Sequence, residues 1–195
     1  MRVTIHQPEH FPYMGFFQKL SAADVYVVLD NVKYRKNYFQ NRNKIPNLLG
    51  ADEWVTVPVE KKATSKKIKD VMTSADTRWR KKLLRKIQQN LKFDASEIYS
   101  YEKLIDINMA SIRWGLKKTG VDVDIIFASD IGVSGTKSEL LANICNKLNA
   151  TKYISGPFGR KYLDRSYFKN IEIEFFEPKV SNYYSCLYNL TKEIS

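Results

Sequence analysis

The sequence predicts an α/β fold built on a mainly parallel, doubly wound sheet. An apolar strand, a helix and a second apolar strand follow one another within the first 30 residues, the layout of a βαβ unit with a right-handed crossover. Later in the chain, apolar runs of strand length alternate with amphipathic helical spacing. The unusual polar residues fall just after these runs, where sheets of this kind place their ligands.

Residues 1–6 alternate with β-branched positions and read as a buried strand. In PYMGFFQKLSAA (12–23) a proline near the start and apolar residues at helical spacing predict a helix, and DVYVVLD (24–30) is a continuous apolar run of strand length. The polar stretch NVKYRKNYFQNRNKI (31–45) reads as a loop, EWVTVPVE (53–60) as a strand, and a lysine-rich linker follows. Helices are expected over 76–92, with Leu83, Leu84, Ile87 and Leu91 as the apolar stripe, and over 101–119, with Leu104, Ile107, Ile112 and Leu116. They form a helical insertion at about 76–119 within a single α/β domain spanning 1–195. A strand at 122–130, a helix at 136–149 and strands at 152–156 and 171–178 complete the pattern.

At 195 residues, 44% hydrophobic and 27% charged, the chain is long and apolar enough for a sizeable core, which excludes wholesale disorder. Cys145 and Cys186 match neither a zinc spacing nor a disulfide framework. With no apolar leader at Met1, the expected location is the reducing cytoplasm. No window reaches the roughly 20 apolar residues of a membrane span. Thirty-two Lys and Arg against 21 Asp and Glu give a net charge of +11 and a pI near 9.5, favouring anionic partners: a nucleotide, a nucleic acid or an acidic protein. The excess concentrates in EKKATSKKIKD (60–70) and RWRKKLLRKIQ (78–88), the latter reading as either a solvated helix face or a docking surface.

His6 stands where the first strand ends, beside Gln7 and before Pro8. An imidazole there serves as a general base near neutral pH, or as a hydrogen-bonded strand end. His10 either contacts an anion near the start of the following helix or packs among Phe11, Tyr13, Phe16 and Phe17. In YRKNYFQNRN (34–43), Arg42, Asn37, Gln40 and Asn41 lie among Tyr34, Tyr38 and Phe39. Amides and guanidinium give directed hydrogen bonds to phosphate or carboxylate, and basic residues among aromatics also stack on single-stranded nucleic acid. SGPFGRKYLD (155–164) is a glycine-containing loop whose N–H groups around Ser155, Gly156 and Gly159 are candidates to cradle an oxyanion. It matches no phosphate-binding fingerprint, and its alternative is an ordinary turn. Asp30, at a strand end, orients His6, binds a ligand amine or caps its loop. GxSxG and HExxH are absent, and Cys145 falls among Leu140, Leu141, Ile144 and Leu148 on a helix. Direct transfer is therefore expected in place of covalent catalysis, with no metal and no tightly bound cofactor.

IHQPEHFPYMGFFQKLSAADVYVVLDNVKYRKNYFQNRNKI, then WVTVPV, and later KSELLANICNKLNATKYISGPFGRKYLD, together resemble the WbqC-like family over most of the chain. The matching positions are His6, Gln7, Pro8, Pro12, Gly15, Asp30, Asn37, Gln40, Asn41, Arg42, Ser155, Gly156, Gly159 and Tyr162. His10 stands where the family more often has an aromatic residue and Tyr13 where tryptophan is common, and the tail YYSCLYNLTKEIS follows the pattern loosely. The resemblance implies a setting among bacterial polysaccharide and O-antigen genes, and attachment of an amino acid or acyl group to an amino sugar. The acceptor is then expected to be the amine of a nucleotide-linked amino sugar, and the donor a phosphopantetheine thioester on an acidic acyl carrier protein. In this reading His6 is the base, Asp30 orients it or the amine, and Gln40 and Asn41 hold the carbonyl. Gln7, His10, Tyr34, Asn37, Arg42, Ser155, Gly156, Gly159 and Tyr162 bind substrate. The predicted sheet is of Rossmann/HUP-like type, and the opening βαβ is also similar in layout to adenylate-forming and nucleotidyl-transferring enzymes of the pantothenate synthetase type, which makes ATP chemistry the alternative, although HxGH is missing. A non-catalytic module for single-stranded nucleic acid is the other alternative, disfavoured by the lack of a nucleic-acid motif.

Overall fold

The computed structural model describes residues 1–192, which group into two compact units. The first comprises Met1–Gln7, Gly15–Asp30 and Val121–Val180; the second comprises Pro8–Met14, Asn31–Gly120 and the segment from Ser181 onward.

The first unit is α/β. Its strands are β1 (Arg2–His6), β2 (Val25–Val28), β5 (Asp124–Phe127), β6 (Lys152–Ser155) and β7 (Glu172–Phe175), all parallel in the order β5-β2-β1-β6-β7. All four residues of β2 are buried, as its unbroken apolar run requires of a strand flanked by neighbours on both edges. Helix α1 (Met14–Ser21) buries Phe16, Phe17 and Leu20, and α5 (Lys137–Lys147) buries Leu140, Leu141, Ile144 and Cys145. Thr136 and Glu139 form a capping box that fixes where α5 starts.

The chain runs outward from β1 to β2 and then β5, and returns to the other side of β1 for β6 and β7. The strand order therefore reverses between β1 and β6, which end at His6 and Ser155. The strand expected over 122–130 stops at Phe127, and Ala128–Ile131 form a helical turn, α4. Asp30 explains this: its carboxylate accepts from the Ser129 backbone N–H at 2.9 Å and from the Ser129 hydroxyl at 2.7 Å, anchoring the start of the turn.

In the second unit, β3 (Arg42–Pro46) and β4 (Asp52–Thr56) form an antiparallel hairpin, accompanied by α2 (Arg78–Leu91), α3 (Leu104–Thr119) and α6 (Cys186–Thr191). Both long helices stand where their apolar spacing places them. The stretch read as a loop contains β3, whose buried positions are Asn43, Ile45 and Pro46; an asparagine at an inward site hides the alternation that marks a strand. The last three residues of the tail compared with the family pattern lie outside the described residues.

The segment Pro8–Met14 is largely irregular, and most of it is buried, so its backbone polar groups need partners from elsewhere. Asn108 on α3 donates to the Pro8 carbonyl at 3.0 Å and to the Gln40 carbonyl at 2.7 Å. Ser111, one turn on, accepts from the Phe11 N–H at 3.0 Å, and Asn43 donates to the Phe11 carbonyl at 2.8 Å. Replacing Asn108 by leucine strands two buried carbonyls. The expected loss of stability is about 2–4 kcal/mol, measured by denaturant unfolding; a loss within error of zero would show that the segment is held by other means.

Candidate functional site

His6 ends the central strand beside the point where strand order reverses, and it is half-buried. Its ring lies 5.2 Å from that of Phe16, tilted by 57°. Burial, with the Lys19 charge as a second cause, holds its pKa well below 6.5, so the imidazole is neutral at pH 7. Gln7 follows, also half-buried.

Asp30 ends the next strand along and is almost fully buried. Its described hydrogen bonds go to Ser129, so of the three expected roles the structure displays the structural cap. Ser155 is buried at the end of β6, its hydroxyl donating to the Gly156 carbonyl at 3.2 Å. Pro157–Lys161 then form a tight helical turn in which the Gly159 N–H bonds to the Gly156 carbonyl at 3.0 Å. That N–H is thus committed to the turn and not to an oxyanion. What glycine supplies at 159 is closeness: a Cβ there would stand 2.2 Å from Ser155 Oγ and 3.2 Å from the Phe175 ring. Tyr162, beyond the turn, is 63% exposed.

A second polar cluster lies within the other unit. Arg42 opens β3 and stacks its guanidinium 4.1 Å from the centre of the Trp54 ring on β4. Its Nε is buried without a hydrogen-bond partner, as are the hydroxyl of Tyr34 and the side-chain carbonyls of Asn31 and Asn41. Burial pushes the Tyr34 phenol up to about 12, the Arg42 charge opposing the rise. Leaving one buried polar group unpaired costs about 1–3 kcal/mol, and the Arg42 charge acting on Tyr34 brings two of these four groups into one neighbourhood. A planar, always-charged fork held against an aromatic face suits phosphate or carboxylate.

The remaining expected residues have other employment. His10 is fully buried between Phe11 and Tyr99, its Nε2 3.0 Å from the Tyr99 hydroxyl, and burial lowers its pKa to about 3. Of the two readings, packing in an aromatic cluster holds, though the second partner is Tyr99, 89 residues away in sequence. Gln40 is buried and accepts from the Arg35 N–H at 2.8 Å, and Asn41 donates to the Val57 carbonyl at 3.0 Å. Both thus shape the 34–43 loop. Asn37 is exposed at the turn of that loop with φ of +57°, a conformation asparagine tolerates. Three contributors went unseen in sequence: Trp54, Ser129 and Asn108. For Asn108 a signal existed, a polar residue between Ile107 and Met109 in a helix otherwise read only for its apolar stripe.

Both cysteines are buried, and burial pushes the Cys145 thiol up to about 12, so neither is a nucleophile at neutral pH. No group of three metal-ligating side chains occurs among the described residues. No helix among them is long and apolar enough to cross a membrane.

The sequence pattern of the WbqC-like protein family matches residues 7–192. The chain belongs to that family. Among curated proteins, the chain is similar to an uncharacterized protein of Mycobacterium tuberculosis, Rv1507c, with 28% identity over 185 residues, 88% of this chain and 79% of that protein. No solved structure matches. In this WbqC-like chain the family pattern thus spans the parallel sheet after β1, the Arg42 cluster and the helices.

The two buried histidines make stability pH-dependent. Each has a folded pKa below its unfolded value near 6.5, so the unfolded chain binds protons first as pH falls. Stability is expected to be full above about pH 6.5 and to decline from there towards pH 3. Urea midpoints across this range check it. The decline is expected to be shallower in His10→Gln, and an unchanged slope would show that His10 is not the group responsible.

Proposed function

We propose that this WbqC-like protein is a transferase that forms an amide on an amine acceptor, taking the acyl group from a carrier-bound thioester. The observation that carries the reading is the neutral imidazole of His6 at the carboxyl end of the central strand, next to the reversal of strand order where ligands of parallel sheets bind. The amine nitrogen attacks the thioester carbonyl carbon, the new N–C bond forms, and the C–S bond breaks. The proton leaves nitrogen for His6, and the imidazolium passes it to the departing sulfur, so a thiol is released and the neutral ring restored.

An imidazole with a lowered pKa is a weak base, and this reaction suits one. Amine nitrogen becomes strongly acidic once it has bonded to the carbonyl carbon, so the proton need be accepted only as the bond forms. Gln7, next along the chain, offers an amide donor for the carbonyl oxygen. Asp30 contributes by fixing Ser129 and the shape of the strand ends. Within the second unit, the stacked guanidinium of Arg42 is a separate candidate for holding a phosphate group. The net charge of +11 favours phosphorylated substrates and an acidic carrier alike.

His6→Gln is expected to lower transfer by a factor of about 10²–10⁴ without changing the melting profile; wild-type transfer in that variant would remove His6 from the chemistry. Arg42→Leu is expected to weaken binding of a nucleoside diphosphate, measured by calorimetry, by about tenfold or more. Tighter binding of ATP than of a nucleotide-linked amino sugar, with pyrophosphate release, would replace amide transfer by adenylate formation.

A further inference from the structure

Helix α2 carries Arg78, Arg80, Lys81, Lys82, Arg85 and Lys86 and has no acidic residue. Its pairs Lys81/Arg85 and Lys82/Lys86 are like charges one turn apart, which weakens the helix. Three of the six have internal employment. Arg78 pairs with Asp76 at 2.7 Å, Arg80 donates to the Tyr99 and Tyr101 carbonyls at 2.8 Å each, and Lys86 pairs with Glu53 at 2.9 Å. Lys81, Lys82 and Arg85 are exposed and make no ion pair among the described residues.

Lys82 and Arg85 do not face featureless solvent. With Lys86 and Lys92 they line an open groove of about 710 Å³, whose other wall is the β3–β4 turn carrying Leu48 and Leu49. Those leucines are 74% and 93% exposed. The turn is held in place, since the Leu48 N–H donates to Asn90 on α2 at 3.2 Å and Asn90 donates to Glu53 at 3.1 Å. The groove thus presents a row of cations along α2 on one side and, on a turn tied to that helix, two apolar side chains on the other.

We propose that this groove docks an acidic helix of the acyl carrier protein, with carboxylates opposite Lys82, Arg85 and Lys92 and an apolar side chain against Leu48 and Leu49. Lys82, Arg85 and Gln89 recur at three- and four-residue spacing along one helix face, matching carboxylates one turn apart on a facing helix. A single-stranded nucleic acid fits less well. None of the residues lining the groove is aromatic, so bases have nothing to stack on. The assignment of the partner as a carrier rests on the transferase reading.

The test is binding of an apo acyl carrier protein, which lacks the phosphopantetheine arm and so reports docking separately from transfer. Fluorescence anisotropy at low and high salt is expected to show binding that salt weakens. The double variant Lys82→Glu/Arg85→Glu is expected to bind at least about tenfold more weakly. Leu49→Ser is expected to weaken binding at both salt concentrations, which charge alone would not explain. Equal binding by wild type and the double variant, or no binding at all, overturns the proposal. Displacement of the carrier by a single-stranded oligonucleotide that itself depends on Lys82 and Arg85 overturns it in favour of nucleic acid. Docking that persists while His6→Gln transfers at the wild-type rate leaves the groove assigned and removes only the chemistry.

Discussion

The obligation to satisfy buried backbone polar groups governs the arrangement of the second unit. Pro8–Met14 supplies no strand of its own, yet its Pro8, His10 and Phe11 are buried. Its hydrogen bonds come from side chains fixed on regular elements, Asn108 and Ser111 on α3 and Asn43 on β3, and from the backbone of Phe39 and Cys186. One consequence is strain that the surroundings can bear: Phe11 is held at φ of +42°, a region costly for a bulky residue, with both its N–H and its carbonyl gripped. Another is that His10, within the same stretch, is taken into the packing by its contact with the Tyr99 hydroxyl.

Burial acts on the two histidines in the same direction and to different ends. His10, with no exposed surface, becomes a neutral hydrogen-bonding member of an aromatic cluster. His6 keeps partial exposure at a strand end, and burial together with the Lys19 charge leaves its ring neutral there. Arg42 is held by shape instead: its guanidinium lies against the face of Trp54, and its Nε is buried.

The α/β class was legible because β1, β2 and the segments around 122–130, 152–156 and 171–178 announce themselves as apolar runs. The parallel sheet is assembled from those five. The hairpin was half legible: β4 shows in Trp54 and Val55, whereas β3 buries Asn43, and hydropathy cannot distinguish an asparagine that bonds a distant carbonyl from one in solvent. The candidate site was legible at His6 and Arg42, whose settings follow from being next to or within strands. Gln40, Asn41 and His10 also make structural hydrogen bonds that local patterning does not reveal: Val57 and Tyr99, the partners of Asn41 and His10, lie 16 and 89 residues away, whereas Arg35, the partner of Gln40, belongs to the same loop.

The chain passes from one unit to the other five times, after Gln7, Met14, Asp30, Gly120 and Val180. Neither unit is therefore a contiguous stretch. During synthesis the opening strand must wait for β6 and β7, which emerge some 150 residues later, before its sheet closes. The second unit waits for Cys186, whose N–H bonds the Pro12 carbonyl. Folding is thus weighted towards distant pairings, a topology that favours slow folding. The same interleaving means that recombination cannot exchange either unit as a block, so each has had to change in the continuous presence of the other.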